Sequence, residues 1–143
     1  MKPPDDYSQA IFIVTGSQLR AEELDRPLAY RIKEAADVAG APDPLRRAVV
    51  LSDLFYLNAL PGRDRPVVSV GGPRFNAVTR ALYTELAYAL AVDNAFMIQM
   101  DVALNDLRAA VWGVDYPNTV TAVEVFIEKY LDKFLAAAWE IGL

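Results

Sequence analysis

The side chains that could do chemistry in this sequence fall just after short apolar runs. Thr15, Gly16 and Ser17 follow Ala10-Ile-Phe-Ile-Val14, with Arg20 close behind. Ser52 and Asp53 follow Ala48-Val-Val-Leu51, and Asp101 follows Asn94-Ala-Phe-Met-Ile-Gln-Met100. Gly71, Gly72, Arg74 and Asn76 follow Val67-Val-Ser-Val70. Paired glycines let a ligand come close to the backbone. If Pro73 opens a helix there, the free amides of its first turn and an arginine attract an anion. The competing reading is a tight strand-to-helix turn with Pro73 at the first helical position, which removes one of those amides. Thr15 to Ser17 reads as a second anion loop, or else Ser17 caps a helix. Asp53 and Asp101 are the candidate catalytic acids or magnesium ligands, since hard cations prefer carboxylate oxygens. Arg20 or Arg74 would then stabilise developing negative charge. Strand-end carboxylates also occur for purely structural reasons.

Composition removes several chemistries. The chain has neither histidine nor cysteine. A Ser-His-Asp relay, a Cys-His pair, a His-ligated zinc site and a disulfide framework are therefore excluded within it. Net charge is −5 and no basic block stands out, so nucleic acid is not an expected partner. There is no Gly-x-Gly-x-x-Gly and no Gly-Lys-Ser/Thr, so no dinucleotide or triphosphate fingerprint is present and any cofactor is unknown from the sequence. Ile11 to Val14 is too short for a signal-peptide core or a membrane span, which points to a cytoplasmic protein with no membrane partner. The 54% of hydrophobic residues suits a sheet buried on both faces, a subunit interface in a homo-oligomer, or both.

These side chains converge only if the right elements hold them. The 143 residues fit a single domain, with residues 1–9 frayed. Strands are expected at Ala10–Val14, Arg47–Leu51, Val67–Val70, Asn94–Met100 and Ala109–Trp112. Continuous rather than alternating apolarity marks strands covered on both faces. Asp25 reads as the N-cap of a first helix with Pro27 just inside and a stop at Gly40. Arg20, Glu22, Glu23, Asp25 and Arg26 before it form a solvated charge cluster, or a lid with Arg20 reaching inward. A second helix runs from Pro73 to Leu90, with Val78, Leu82, Leu86 and Leu90 in register. A last helix starts at a Thr121–Glu124 capping box. Leu54 to Leu60 is ambiguous, and Pro61 to Arg65 is an exposed turn.

This order predicts an α/β protein: a three-layer α/β/α sandwich of flavodoxin-like order 2-1-3-4-5, mostly parallel, with about five strands. The fourth and fifth strands are joined too tightly for a crossover, so the fifth is an antiparallel edge strand. Its Gly113 and Asp115 would then lie away from the other strand ends. A helix over Leu104–Trp112 is the alternative. The aromatic set Phe55, Tyr56, Tyr83, Tyr88, Trp112, Tyr130, Phe134 and Trp139 reads as core or interface rather than as a stacking platform.

Leu19-Arg-Ala-Glu22 with Asp25-Arg-Pro-Leu-Ala-Tyr30, then Val70-Gly-Gly-Pro-Arg-Phe-Asn76, then Gly113-Val-Asp115 with Thr119, together resemble a pattern of small bacterial α/β proteins of unknown function. That resemblance implies a fold and no activity. The functional expectation is therefore a binding or regulatory domain for a small anionic or nucleotide-like ligand, held by Thr15, Gly16, Ser17, Arg20, Asp53, Gly71, Gly72, Arg74 and Asn76. The alternatives are a hydrolase or transferase using Asp53 or Asp101, and a structural oligomerisation module.

Overall fold

The computed structural model describes residues 6–58 and 64–140. Its organising strand is β1 (Ile11–Thr15), every residue of which is buried. β1 pairs in parallel with β2 (Ala48–Ser52) on one side and β3 (Val67–Val70) on the other. β3 pairs in parallel with β6 (Arg108–Gly113). β5 (Phe96–Met100) runs antiparallel to β6, and β4 (Tyr88–Val92) antiparallel to β5. The six-stranded mixed sheet has the order β2-β1-β3-β6-β5-β4.

Strand side chains alternate between two cores, as the two-residue period of a strand requires. Ile11 and Ile13 join Val68, Val70 and Val111 under α1 (Arg26–Gly40), α4 (Tyr116–Lys129) and α5 (Leu131–Trp139). Phe12 and Val14 join Val67, Ala110 and Trp112 on the other face, under α2 (Asp53–Asn58) and α3 (Ala77–Tyr83). Helices thus cover both faces, which is why the inner strands read as unbroken apolar runs.

Several expectations are corrected. The predicted neighbours β2-β1-β3 are observed, but β6 rather than the Phe96–Met100 strand lies next to β3. The tight β5–β6 connection is antiparallel as expected, yet β6 is an inner strand and the edge is β4. The helix expected from Pro73 to Leu90 is only the short α3, and its last part is the strand β4. The Leu82, Leu86, Leu90 spacing explains the error: steps of four lie on one face of a helix and, being even, on one face of a strand too. Asn94, at φ 58, then turns β4 back into β5. The last helix starts at Tyr116 under an Asp115 cap, not at Thr121, and breaks at Tyr130 into α4 and α5. Within the expected frayed segment, Tyr7 packs edge-on against Phe12 and Gln9 O accepts from Trp139 Nε1 at 2.7 Å. Residues 1–5 of that segment, and 61–63 of the expected turn, lie outside the described residues. Trp139 is 2% exposed within the chain itself, so its burial calls for no second subunit.

One side chain fixes the carboxyl ends of β1 and β3. Asn76, fully buried, donates from Nδ2 to Val14 O at 3.0 Å and to Val70 O at 2.9 Å. Its Oδ1 accepts from Val78 N at 2.9 Å and Thr79 N at 3.3 Å, capping α3. Replacing it strands two buried carbonyls and removes a helix cap. Asn76→Ala is expected to destabilise the fold by about 3 kcal/mol in urea unfolding. Asn76→Asp keeps the cap but loses both strand donors, so it is expected to rescue little of that loss.

Candidate functional site

The carboxyl ends of the parallel strands form one rim, and it has a closed half and an open half. The closed half contains Ser17, Asp53 and Asn76. Asp53, only 5% exposed, opens α2 and accepts from Leu54 N at 2.8 Å through Oδ1, which also accepts from Ser17 Oγ. Its Oδ2 accepts from Ala77 N at 2.8 Å. With Asn76 holding Val78 N and Thr79 N, the first amides of α3 are all met by the protein's own side chains. The expected anion site at this helix start is therefore filled from within: Asp53 is the anion. Gly16 belongs here as a packing residue, since a Cβ on it would lie 1.9 Å from Phe75 O. Ser17 does not cap a helix through its hydroxyl, which is spent on Asp53. Thr15 is fully buried and, among the described residues, its Oγ1 has no hydrogen-bond partner.

The open half is a cleft of ≈200 Å³ between the ends of β3 and β6, the turn before α1 and the start of α4. Arg20, Gly72 and Arg74 of the expected set line it, joined by Asp25, Pro73, Phe75, Trp112, Gly113, Val114, Asp115 and Thr119. The apolar walls are ordered. Trp112 is 8% exposed and its Nε1 donates to Gln99 Oε1 at 3.3 Å. The floor is satisfied internally: Gly113 N donates to Thr119 Oγ1 at 3.0 Å, and Asp115 Oδ1 accepts from Asn118 N at 3.0 Å as the cap of α4.

Three charged groups in the cleft have no hydrogen-bond or ion-pair partner among the described residues. The Arg20 guanidinium carbon lies 4.3 Å from the centroid of the Phe75 ring, and that of Arg74 lies 5.7 Å from the same ring. Among the described residues, no side-chain hydrogen bond or ion pair holds either guanidinium. The third group is Asp25. The backbone from Ala21 to Asp25 forms a single π-type turn running straight into α1, the kind of inserted residue that often marks a functional position. Asp25 has helical angles (φ −83, ψ −35), makes no capping hydrogen bond and is 2% exposed. The expectation that it caps α1 is thus wrong. Its carboxylate lies against Gly71, which has φ +106 and on which a Cβ would sit 2.6 Å from Asp25 Oδ2. Glycine is required there both for the backbone and for the carboxylate. Burial pushes the Asp25 pKa up to about 6, partly opposed by the nearby Arg20 charge.

Asp101 is not at this rim. β5 runs antiparallel to β6, so its end pairs with the start of β6, at the opposite end of the strands from the rim. There Asp101 accepts from Ala103 N at 3.0 Å, Asn105 N at 3.0 Å and Asp106 N at 3.1 Å, building the β5–β6 turn. Asp53 and Asp101 therefore cannot share a substrate or a cation. Gly113 and Asp115, expected away from the rim, line the cleft because β6 is parallel to β3. Asp25, Phe75 and Trp112 were not among the expected ligand residues. The aromatic set was read as core, and Trp112 is both core and cleft wall. No protein-family model matches the chain, and a search of curated proteins gives no match.

The Asp25 environment makes stability depend on pH. The folded-state pKa of about 6 lies above the ordinary 3.8, so the stabilising contribution of the neutral carboxyl is complete below pH ~4 and lost as pH rises through 6. Asp25→Asn is expected to be more stable than the parent at pH ~7.5, by about 2 kcal/mol, with the gap closing towards pH ~4. Urea unfolding of both proteins at the two pH values measures this.

Proposed function

We propose that this chain is a small-ligand-binding domain whose anionic ligand sits in the cleft between Arg20, Arg74, Phe75 and Trp112. The observation that carries this reading is a pair of guanidiniums over one phenyl ring that, among the described residues, no ion pair holds, in a chain with 19 acidic and 14 basic residues. Arginines on the surface of an acidic protein readily find carboxylates. Two that are left stacked beside an apolar-walled cleft are poised to meet an anion brought from outside. The cleft of ≈200 Å³ is smaller than the ~300–1,000 Å³ of sites for drug-sized ligands, which favours a metabolite-sized ligand over a whole nucleotide.

The hydrolase or transferase alternative has less support, because both Asp53 oxygens are engaged by backbone amides and Asp101 builds a distant turn. A homo-oligomer is supported by β4, an edge strand with Tyr88 and Val92 exposed. The flavodoxin-like comparison is supported by the order β2-β1-β3 within the parallel part of the sheet, with α1 as the crossover between β1 and β2. We read the domain as cytoplasmic; among the described residues no helix is long and apolar enough to cross a membrane.

Calorimetry and thermal shift with inorganic phosphate, acetate and succinate test the reading, since a ligand that binds the native state must raise stability. At least one of these anions is expected to stabilise the protein, and Arg20→Gln with Arg74→Gln is expected to weaken its binding tenfold or more. Stabilisation that survives the double substitution would contradict the assignment.

A further inference from the structure

An anionic group on the ligand accounts for Arg20 and Arg74 and leaves Asp25 unexplained. This carboxylate is 2% exposed, and among the described residues no side-chain or backbone donor is bonded to it. Burial without hydrogen bonds is costly for an ionised carboxylate. Its neighbours do not relieve that cost. Gly71 presents a bare Cα, and Arg20 is close enough to lower the Asp25 pKa without forming an ion pair. The other polar groups of the cleft, Asp115, Thr119 and the Gly113 amide, are bonded to one another or to α4. Two ends of opposite sign thus remain: guanidiniums stacked on Phe75, and a buried acceptor beside Gly71. Pro73, Trp112 and Val114 add apolar surface to the same cleft.

We infer that the ligand is amphoteric: besides its anionic group it carries a nitrogen that donates hydrogen bonds to Asp25, the class to which free α-amino acids and phosphorylated amines belong. The inference rests on the ligand-binding reading of the same cleft. Arg20 and Arg74 take the carboxylate or phosphate, Asp25 takes the ammonium, and the apolar walls take the body. A hydrogen bond to a charged group contributes more than a neutral one, and a buried acceptor selects against ligands that leave it unmet. Asp25 is therefore the specificity-determining residue of the cleft, and Gly71 is what makes room for it.

The test compares matched probes by calorimetry at pH ~7.5. L-Leucine is set against 4-methylpentanoate, which lacks the amino group, and against isoamylamine, which lacks the carboxylate. Phosphoethanolamine is set against ethyl phosphate and ethylamine, so that the two arms separate a carboxylate from a phosphate end. One amphoteric probe is expected to bind at least tenfold more tightly than both of its truncated partners. In Asp25→Asn that ratio is expected to fall to near one, with urea unfolding confirming that the variant is folded. Equal binding of the amphoteric probe and its plain acid would overturn the amphoteric inference and leave the anion-binding reading standing. Equal binding of the amphoteric probe and its plain amine would overturn both, as would failure of every anion, amphoteric or plain, to bind.

Discussion

Asn76 joins the ends of two paired strands to the helix that follows them. Two hydrogen bonds from its amide nitrogen hold the Val14 carbonyl of β1 and the last carbonyl of β3, and two to its amide oxygen start α3. Only a side chain with both donors and acceptors does this, and only from a buried position where neither water nor a neighbour competes. Once Asn76 is set, Gly72 to Phe75 must cross the rim as a compact turn, closed by bonds from Phe75 N and Asn76 N to Gly72 O. That turn carries Arg74 and Phe75 to the mouth of the cleft and brings Phe75 O against Gly16.

Asp53 completes the arrangement and divides the rim electrostatically. It places one negative charge on the α3 amides and anchors Ser17, so the dipole of that short helix is answered within the protein. What remains outside this closed half is the group of Arg20, Arg74 and Asp25. The π-type turn matters here because it is where the helix places Asp25 inward against Gly71. The fold thus keeps one carboxylate, Asp53, hydrogen-bonded through both oxygens, and another, Asp25, buried with no hydrogen bond among the described residues. Groups left in such a state concentrate at binding and catalytic sites.

How much of this was legible in the sequence depended on the kind of signal. β1 and β3 were clear, because burial on both faces leaves an unbroken apolar run, whereas the inner strand β6 was read as an edge strand with a helix as its alternative. The glycine turn after β3 was located correctly, and Arg20, Gly72 and Arg74 do reach one cleft. Asp25-Arg-Pro27 and Asp115-Tyr-Pro117 carry the same spacing, yet Asp115 takes extended angles and caps α4 whereas Asp25 is helical and buried. Nothing local separates the two; the difference lies in whether a helical turn already precedes the aspartate. Strand order was likewise not a local property. Placing β6 beside β3 reverses which of Asp101 and Asp115 reaches the rim, and that choice depends on the β4–β5 hairpin filling the sheet edge.

The claim on which this account stands is that the rim is closed at α3 and open at the Arg20–Asp25 cleft. An amide and arginine-Nε NMR titration with inorganic phosphate and with L-leucine reads both halves at once. The account predicts shifts at Gly72, Gly113, Val114 and the Arg20 and Arg74 Nε signals, with Ala77, Val78 and Thr79 unmoved. Shifts led by Ala77, Val78 and Thr79 would contradict it, because they would mean that the ligand displaces Asp53 from the helix start and the cleft is a bystander.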